Sequence, residues 1–309
     1  MVILAVIAAM LLAGVLLMSY YAYRVTFYSP KDHEEKIFDL PTGEQYDSQR
    51  EVVHRCVRAL NEVPCEEVSI RSFDGKRLCA RYYHHMDGAP VQIMFHGYRG
   101  SAIRDFCGGA VMARKLGHNA LIVDQRAHGR SQGSTITFGV LERFDCKSWA
   151  EYVQERFGDV PIVLSGVSMG AATVLMASEL DLPETVTAIL ADCPFSSPRE
   201  IIAKVAGEMG LPGKPAAFCC ELGALLFGHF WLGASSAESA VKKAKVPILL
   251  IHGLEDRFVP CEMSRRIRTA CAGECEFYTF PNAAHAFSYM TDPQHYETLT
   301  MSFLNRHVG

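Results

Sequence analysis

Short apolar runs alternate with longer segments of helical periodicity from about residue 67 to residue 305. A strand–helix–strand unit joins neighbouring parallel strands through a crossover helix, so this alternation predicts an α/β fold with a mostly parallel, twisted sheet flanked by helices. Strands are predicted at residues 67–72, 77–83, 91–95, 119–123, 161–165, 185–190, 248–251 and 275–280, and helices at 102–116, 141–157, 171–180 and 296–305.

The sequence Gly-Val-Ser-Met-Gly at residues 166–170 lies between a predicted apolar strand and an Ala-rich helix. A sharp strand-to-helix turn needs small residues two places before and after its serine, and it exposes the hydroxyl above the sheet at a helix N-terminus. We therefore predict that Ser168 is a nucleophile. The alternative is a Gly-Ser turn in which the serine only caps the helix.

A serine hydroxyl needs a base to take its proton and a third group to hold that base. On a sheet of this kind the chain order is Ser, acid, His, and Asp256 and His285 satisfy it. Of the 12 histidines, His285 alone lies in a loop between the last predicted strand and the final helix. The alternatives are Glu255 or the strand-end Asp192 as the acid, and a merely solvent-exposed loop histidine in place of a base.

An oxyanion needs at least two hydrogen-bond donors aimed at one point. The backbone N–H of Met169, which follows the proposed nucleophile, supplies one. The sequence His-Gly-Tyr-Arg-Gly at residues 96–100 follows an earlier predicted strand, and the N–H of Tyr98 is the expected second donor. His96 is expected to orient this loop through hydrogen bonds without transferring protons.

The polar turn at residues 124–131, Asp-Gln-Arg-Ala-His-Gly-Arg-Ser, is predicted to be structural, with an Asp–Arg pair and with His128 satisfying backbone groups. Tyr98, Arg99 and Arg126 are nevertheless candidates for contact with a substrate. Cys193 also stands at a strand end, but no base neighbours it in sequence, so it is not predicted to be a nucleophile.

Composition excludes several other classes of function. The net charge of −4 carries no basic excess that would point to nucleic acid. The 11 cysteines are odd in number and form no Cys-x-x-Cys pair, so neither a disulfide framework nor a zinc site is predicted. Cys271 and Cys275, four residues apart, are expected on one helix face as packed thiols. No metal or other cofactor is predicted.

Residues 2–23 contain no charged side chain and would form about 33 Å of helix, enough to span a bilayer. Tyrosines at one end, followed by Arg24, are typical of a membrane interface. A cleaved signal peptide is the alternative, but it lacks a positive first region and a small-x-small cleavage site. We therefore predict a single-pass anchor at residues 1–23. Arg24 and Lys31, together with the free cysteines, favour a cytoplasmic body.

The rest of the chain is predicted to form two parts. Residues 24–64 comprise a tether and a short amphipathic helix at 46–61. Residues 65–309 form the main domain, and the apolar stretch at about 196–244 interrupts its strand–helix alternation. Because a structureless loop of that length is improbable, this stretch is expected to form a small helical cap over the sheet's active edge.

Taken together, the motifs at 96–97 and 166–170 and the residues Asp256 and His285 resemble the α/β-hydrolase superfamily over residues 65–309. The sequences at 124–131 and 191–195 are similar to its prolyl-oligopeptidase-like and serine-aminopeptidase-like bacterial branch. That resemblance implies the α/β-hydrolase fold and the activity of an esterase, lipase, thioesterase or peptidase, among which the fold does not choose. The propeller of true oligopeptidases is not recognised, which disfavours a peptidase.

The expected activity is cleavage of a small-molecule or lipid-like carboxylic ester through an acyl-enzyme. An apolar cap favours an apolar acyl group of short to medium length. A thioesterase, a (lyso)phospholipase or a peptidase remains open, as does a catalytically inactive binding protein of the same fold. A dehalogenase or epoxide hydrolase would carry Asp at position 168, and Ser168 excludes both.

Overall fold

The computed structural model describes residues 1–30, 37–40, 44–47 and 49–308. In these residues eight strands form a sheet of order β1-β2-β4-β3-β5-β6-β7-β8, in which β2 is antiparallel to both its neighbours and β3 to β8 run parallel. The predicted fold class is confirmed. The strands are β1 Glu66–Arg71, β2 Arg77–Tyr83, β3 Val91–Phe95, β4 Asn119–Asp124, β5 Ile162–Val167, β6 Val186–Asp192, β7 Ile248–Gly253 and β8 Cys275–Phe280.

Helices cover both faces of the sheet. Those in the described residues are α1 Val2–Thr26, α2 Glu44–Asp47, α3 Arg50–Asn61, α4 Ala102–Lys115, α5 Glu142–Phe157, α6 Met169–Ala177, α7 Pro198–Glu208, α8 Gly213–Leu226, α9 Ala237–Ala240, α10 Cys261–Ala270, α11 Ser288–Thr291 and α12 Pro293–His307. Alternate residues of a strand face opposite sides: Ile93 packs in the cluster with α5 and α6, whereas Met94 packs in the cluster with α3 and α4. Burial on both faces explains why the central strands are continuously apolar.

Three local predictions differ from the structure. Helix α6 begins at Met169, directly after Ser168, because the strand turns into the helix without a loop. Helix α10 was not predicted, since only Met263 and Ile267 form its apolar stripe. Cys271 follows α10 and Cys275 opens β8, so the expectation that they share a helix face is wrong.

Helix α1 is long and apolar enough to cross a membrane, with a mean hydropathy of 2.8 over its most apolar part. It extends to Thr26, three residues beyond the predicted end of the anchor. The predicted tether begins within it and continues with Phe27, which is fully buried against Phe138 and Phe230. The start of that segment is therefore packed, not free. Lys31 lies outside the described residues.

The region predicted as a cap contains α7, α8 and α9, which lie in sequence between β6 and β7. Side chains of α7 and α8 line a cavity that reaches Ser168 beyond the carboxyl end of β5. The predicted amphipathic helix at 46–61 is represented by α3, preceded by the short α2. The division of the chain into domains stays a prediction.

Candidate active site

Ser168 occupies a strained turn between β5 and α6, with φ 55° and ψ −115°. A positive φ is rare for a residue with a side chain and is tolerated where the surroundings impose it. Two glycines make the turn possible. A Cβ at Gly166 would lie 2.3 Å from the carbonyl carbon of Gly170, and a Cβ at Gly170 would lie 1.7 Å from the carbonyl oxygen of Phe95. The strand and the helix therefore approach more closely than any side chain at these positions would allow.

The structure brings together Ser168 from the turn between β5 and α6, Asp256 from the loop after β7 and His285 from the loop after β8. Nε2 of His285 lies 2.8 Å from Oγ of Ser168, and Nδ1 lies 2.7 Å from Oδ2 of Asp256. An ionised carboxylate only accepts hydrogen bonds, so this contact requires the proton on Nδ1 and leaves Nε2 to accept from the serine. The ring of Phe258 packs beside the imidazole, with centroids 5.1 Å apart.

Asp256 is buried and held from several directions. Oδ1 accepts hydrogen bonds from the backbone N–H groups of Phe258 and Val259, at 2.9 and 2.8 Å. Nε2 of His252 lies 3.2 Å from Oδ2. Burial alone would raise the pKa of Asp256, but the hydrogen bonds from His252 and His285 and their charge lower it to about 2. The carboxylate is thus ionised at neutral pH.

His252 was not singled out from the sequence as part of this arrangement. Its ring is completely buried at the end of β7. Nδ1 lies 2.7 Å from Oγ of Ser264, and Nε2 lies 2.8 Å from the carbonyl oxygen of Val259. When the Ser264 hydroxyl donates to Nδ1 of His252, the ring proton lies on Nε2. That N–H then faces both the carbonyl oxygen of Val259 and Oδ2 of Asp256. The signal in the sequence was the His-Gly pair at the end of this strand.

The two alternative acids lie elsewhere. Glu255 is exposed, and the carboxylate that binds His285 belongs to the adjacent Asp256. Asp192 is buried, and its Oδ1 accepts a hydrogen bond from Ser288 Oγ at 3.3 Å. Burial raises the pKa of Asp192 to about 6.

The loop that carries Tyr98 passes over Ser168. A Cβ added to Gly97 would lie 3.5 Å from Cβ of Ser168, and the N–H of Gly97 donates to Oδ2 of the buried Asp105 at 2.9 Å. Within the described residues, the backbone N–H groups of Tyr98 and Met169 donate no hydrogen bond to another backbone group. Asp105 was not predicted from the sequence as a support for this loop.

His96 and His128 are bound to the backbone through both ring nitrogens. Nδ1 of His96 lies 2.8 Å from the carbonyl oxygen of Gly97, and Nε2 accepts from the N–H of Gln125 at 3.2 Å. In His128, Nδ1 lies 2.9 Å from the carbonyl oxygen of Arg126, and Nε2 accepts from the N–H of Arg99 at 3.1 Å. Both rings therefore brace the turns that surround the site, as predicted.

Two of the side chains expected to reach a substrate are already engaged. Arg126 is buried and binds Asp145 through Nε and Nη2 at 2.6 and 2.7 Å, so the expectation that it contacts a substrate is wrong. Nη2 of Arg99 donates to the carbonyl oxygens of Val25 and Tyr28 at 2.8 and 3.1 Å. Arg99 therefore binds the end of α1, and only Tyr98 of the three lines the cavities beside Ser168.

Cys193 lies behind the histidine. Its sulfur, a carboxylate oxygen of Asp256 and a ring nitrogen of His285 all lie within 4.8 Å of one another. Burial raises the pKa of the Cys193 thiol well above its usual range, and the nearby carboxylates of Asp192 and Asp256 raise it further. A neutral thiol is a poor nucleophile and a poor metal ligand.

Ser168 lines two cavities, one almost wholly apolar and one with a mixed lining. One, of about 860 Å³, is lined almost entirely by apolar side chains from α1, α7 and α8. The other, of about 620 Å³, is also lined by His285 and includes charged side chains, among them Arg104, Glu208 and Arg257. The hydroxyl of Ser168 is therefore flanked by an apolar cavity and by one in which charged side chains stand among apolar ones.

Two family descriptions match this chain. Residues 90–207 match "alpha/beta hydrolase fold", and residues 223–302 match "Dienelactone hydrolase family". Together the matched stretches contain Ser168, Asp256 and His285.

Among curated proteins, YqkD of Bacillus subtilis is 28% identical over 192 residues, which are 62% of this chain and 63% of YqkD. The lysophosphatidylserine lipase ABHD12 of Danio rerio is 25% identical over 58% of this chain and 46% of its own length. The matched part is thus less than two thirds of the length of either relative. Among solved structures, the Pyrococcus furiosus esterase Pf2001 is 22% identical, with a TM-score of 0.65 over 82% of this chain and 94% of that one. At that identity the likeness shows the fold.

Proposed function

Because the chain is a member of the α/β-hydrolase superfamily, we propose that it is a serine hydrolase that cleaves carboxylic esters through an acyl-enzyme. The observation that carries the proposal is the continuous hydrogen-bonded chain from Ser168 through His285 to Asp256, at the junction of the two cavities. Nucleophile, base and orienting acid in this arrangement are what acyl transfer requires.

In the first step, Oγ of Ser168 attacks the ester carbonyl carbon while Nε2 of His285 takes its proton. The negative charge of the tetrahedral intermediate moves onto the former carbonyl oxygen. The N–H groups of Tyr98 and Met169 stabilise that oxyanion, a contribution typically of about 3 kcal/mol per donor. Asp256, ionised because its pKa is about 2, stabilises the imidazolium.

The intermediate then expels the alcohol, which takes its proton from Nε2 of His285. A water molecule enters, gives a proton to the same nitrogen and attacks the acyl-enzyme. Collapse of the second intermediate releases the acid and restores the Ser168 hydroxyl. Water is the only reactant besides the ester, and this chemistry calls for no metal or other cofactor.

The test is turnover of p-nitrophenyl esters from acetate to palmitate by the full chain in detergent, together with labelling by a fluorophosphonate. Ser168→Ala should abolish both, whereas Ser302→Ala, an exposed serine on α12, should leave both unchanged. Full ester turnover by Ser168→Ala would refute the mechanism. Labelling at Ser168 without ester turnover would favour a thioester or peptide substrate, and the absence of labelling in folded protein would favour a binding protein.

The proposal includes the membrane. We infer that α1 is a retained anchor and not a cleaved leader, because Tyr23 and Phe27 are buried in the body and cleavage would remove part of its packing. Arg24 on the body side favours a cytoplasmic catalytic domain. Cys65 is exposed, so its modification shows on which side of the membrane the catalytic domain lies. A membrane-impermeant maleimide should modify it only in inverted vesicles, and Cys65→Ser is the control.

A further inference from the structure

The apolar helix α1 is packed onto the catalytic body over its C-terminal half. Gly223 of α8 provides the contact: a Cβ there would lie 2.4 Å from the carbonyl oxygen of Ser19. The rings of Tyr20 and Tyr23 pack on Phe227, with centroids 5.1 and 6.0 Å apart. This half of the helix therefore has one defined position against α8, which a flexible membrane tether would not have.

The end of α1 is also bound by the loop that supplies the proposed oxyanion donor. The hydroxyl of Tyr98 donates to the carbonyl oxygen of Thr26 at 2.8 Å, and Nε of Arg99 donates to that hydroxyl at 2.8 Å. Arg99 also binds the carbonyl oxygen of Val25 at 2.8 Å. A cation at a helix C-terminus is favourable because the helix dipole is negative there. The last turn of α1 and the side chains of Tyr98 and Arg99 thus hold each other in place.

The larger cavity beside Ser168 lies between α1 and the pair α7–α8. One wall is α1, and the opposite wall is mainly α7 and α8, with Val205 and Ala216 among its side chains. On α1 the lining runs from Leu17 to Thr26, about 14 Å of helix axis. A long apolar cavity whose lining includes Ser168 is suited to bind an acyl chain next to that hydroxyl.

The outer part of this channel lies where a membrane would be. Residues 2–14 of α1 are exposed and stand clear of the body. A hydrocarbon core of about 30 Å takes about 20 residues of helix, which is nearly the whole of the charge-free segment at residues 2–23. Leu17, on the channel lining, then lies inside the bilayer. Met209 and Leu211, on the opposite rim, are exposed apolar side chains at the same opening.

We infer that α1 is one wall of the substrate site, and that the substrate is a single-chain amphiphilic ester which enters from the bilayer. Its acyl chain, of medium to long length, lies between α1 and α7–α8, and its polar alcohol lies in the smaller cavity near Arg257 and Glu208. This inference rests on the proposed serine hydrolase function.

The test fills the channel from α1 without touching Ser168. Ala22 lines the cavity, and Ala13 lies on the exposed part of the same helix. Ala22→Phe in the full chain should lower kcat/KM for p-nitrophenyl palmitate and dodecanoate by about ten-fold or more, and leave p-nitrophenyl acetate nearly unchanged. Ala13→Phe should change neither. Val205→Phe fills the channel from the opposite wall and should give the same chain-length effect. It takes the place of Ala22→Phe if that variant does not fold.

A second measurement tests the source of the substrate. The full chain, reconstituted in phosphatidylcholine vesicles, receives monopalmitoylglycerol either in the same vesicles or in solution on serum albumin. Entry from the bilayer predicts an initial rate about ten-fold higher for substrate in the same vesicles. An equal or higher rate from albumin would overturn entry from the membrane.

The outcomes separate this inference from the proposed function. If neither the acetate ester nor the fluorophosphonate reacts at Ser168, the proposed function has failed. If both react while folded Ala22→Phe and Val205→Phe keep the chain-length profile of the unmodified chain, the channel along α1 is refuted and the hydrolase stands. A wild-type chain that cleaves acetate but no long-chain ester would also refute the channel.

Discussion

Nε2 of His252 lies 3.2 Å from Oδ2 of Asp256, the same carboxylate oxygen that His285 binds. The oxygen therefore has a second donor that fixes the orientation of the carboxylate. Loss of that donor leaves the catalytic groups in place but less well aligned.

His252→Ala should accordingly lower kcat about ten-fold or more with little change in KM, because alignment affects the transition state more than substrate binding. The control is His118→Ala, which removes another buried histidine whose ring bonds Gln92 at 3.0 Å. Both variants should lose stability, measured by urea unfolding, but only His252→Ala should lose kcat. Equal losses of kcat in the two would show that His252 has no positioning role.

Asp256 should make stability depend on acid pH. Its pKa is lowered in the folded state to about 2, from the usual 3.8. A depressed pKa stabilises the fold above the unfolded pKa, and the contribution, about 2 kcal/mol, is lost as the pH falls from about 4 through about 2. The free energy of unfolding of the wild type should therefore decline more steeply over that range than that of Asp256→Asn. Parallel profiles would contradict this assignment.

Gly170→Ala should prevent folding of the turn at Ser168. The added Cβ would lie 1.7 Å from the carbonyl oxygen of Phe95, a backbone atom that cannot move without breaking β3. We expect a loss of about 4 kcal/mol or more. Gly207→Ala is the matched control, because nothing lies within 4 Å of a Cβ at this position in α7. It should be neutral or up to about 1 kcal/mol stabilising. Thermal unfolding of both variants checks the difference.

Arg126→Met should destabilise the fold by about 3 to 5 kcal/mol, because it leaves the buried carboxylate of Asp145 without its partner. Arg156→Met breaks a surface pair with Glu66 and should cost about 1 kcal/mol or less. Per folded molecule, ester turnover should be unchanged in both, since neither arginine lines the cavities beside Ser168. A selective loss of turnover in Arg126→Met would restore its expected contact with substrate.

Much of the fold could be predicted because it depends on local patterns. Apolar runs of strand length, each ending in polar residues, gave the parallel strands and their order along the chain. Ser168 and His285 could be located by their place relative to those strands. The glycines beside Ser168 are required by backbone contacts that recur wherever a strand turns directly into a helix.

The remaining features depend on contacts that the local sequence pattern does not reveal. The His-Gly pair at residues 252–253 marks the end of a buried strand, but it does not indicate that His252 faces Asp256 four residues later. The pairing of Arg126 with Asp145 could not be predicted, because Asp145 lies 19 residues later in the chain, on α5. Helix α1 has the composition of a plain membrane span, and its packing depends on Gly223, about 200 residues later.

The two halves of α1 therefore place different demands on their residues. Residues 2–14 are exposed and need only be apolar, so another hydrophobic helix should be able to replace them. From Ser19 to Thr26, shape matters residue by residue, because those positions meet α8 and the loop of Tyr98. A soluble form made by cutting the chain at residue 24 would lack side chains from Leu17 to Ala22 that line the cavity beside Ser168. A screen for substrates or inhibitors should therefore use the full chain, because the truncated protein lacks this part of the cavity wall.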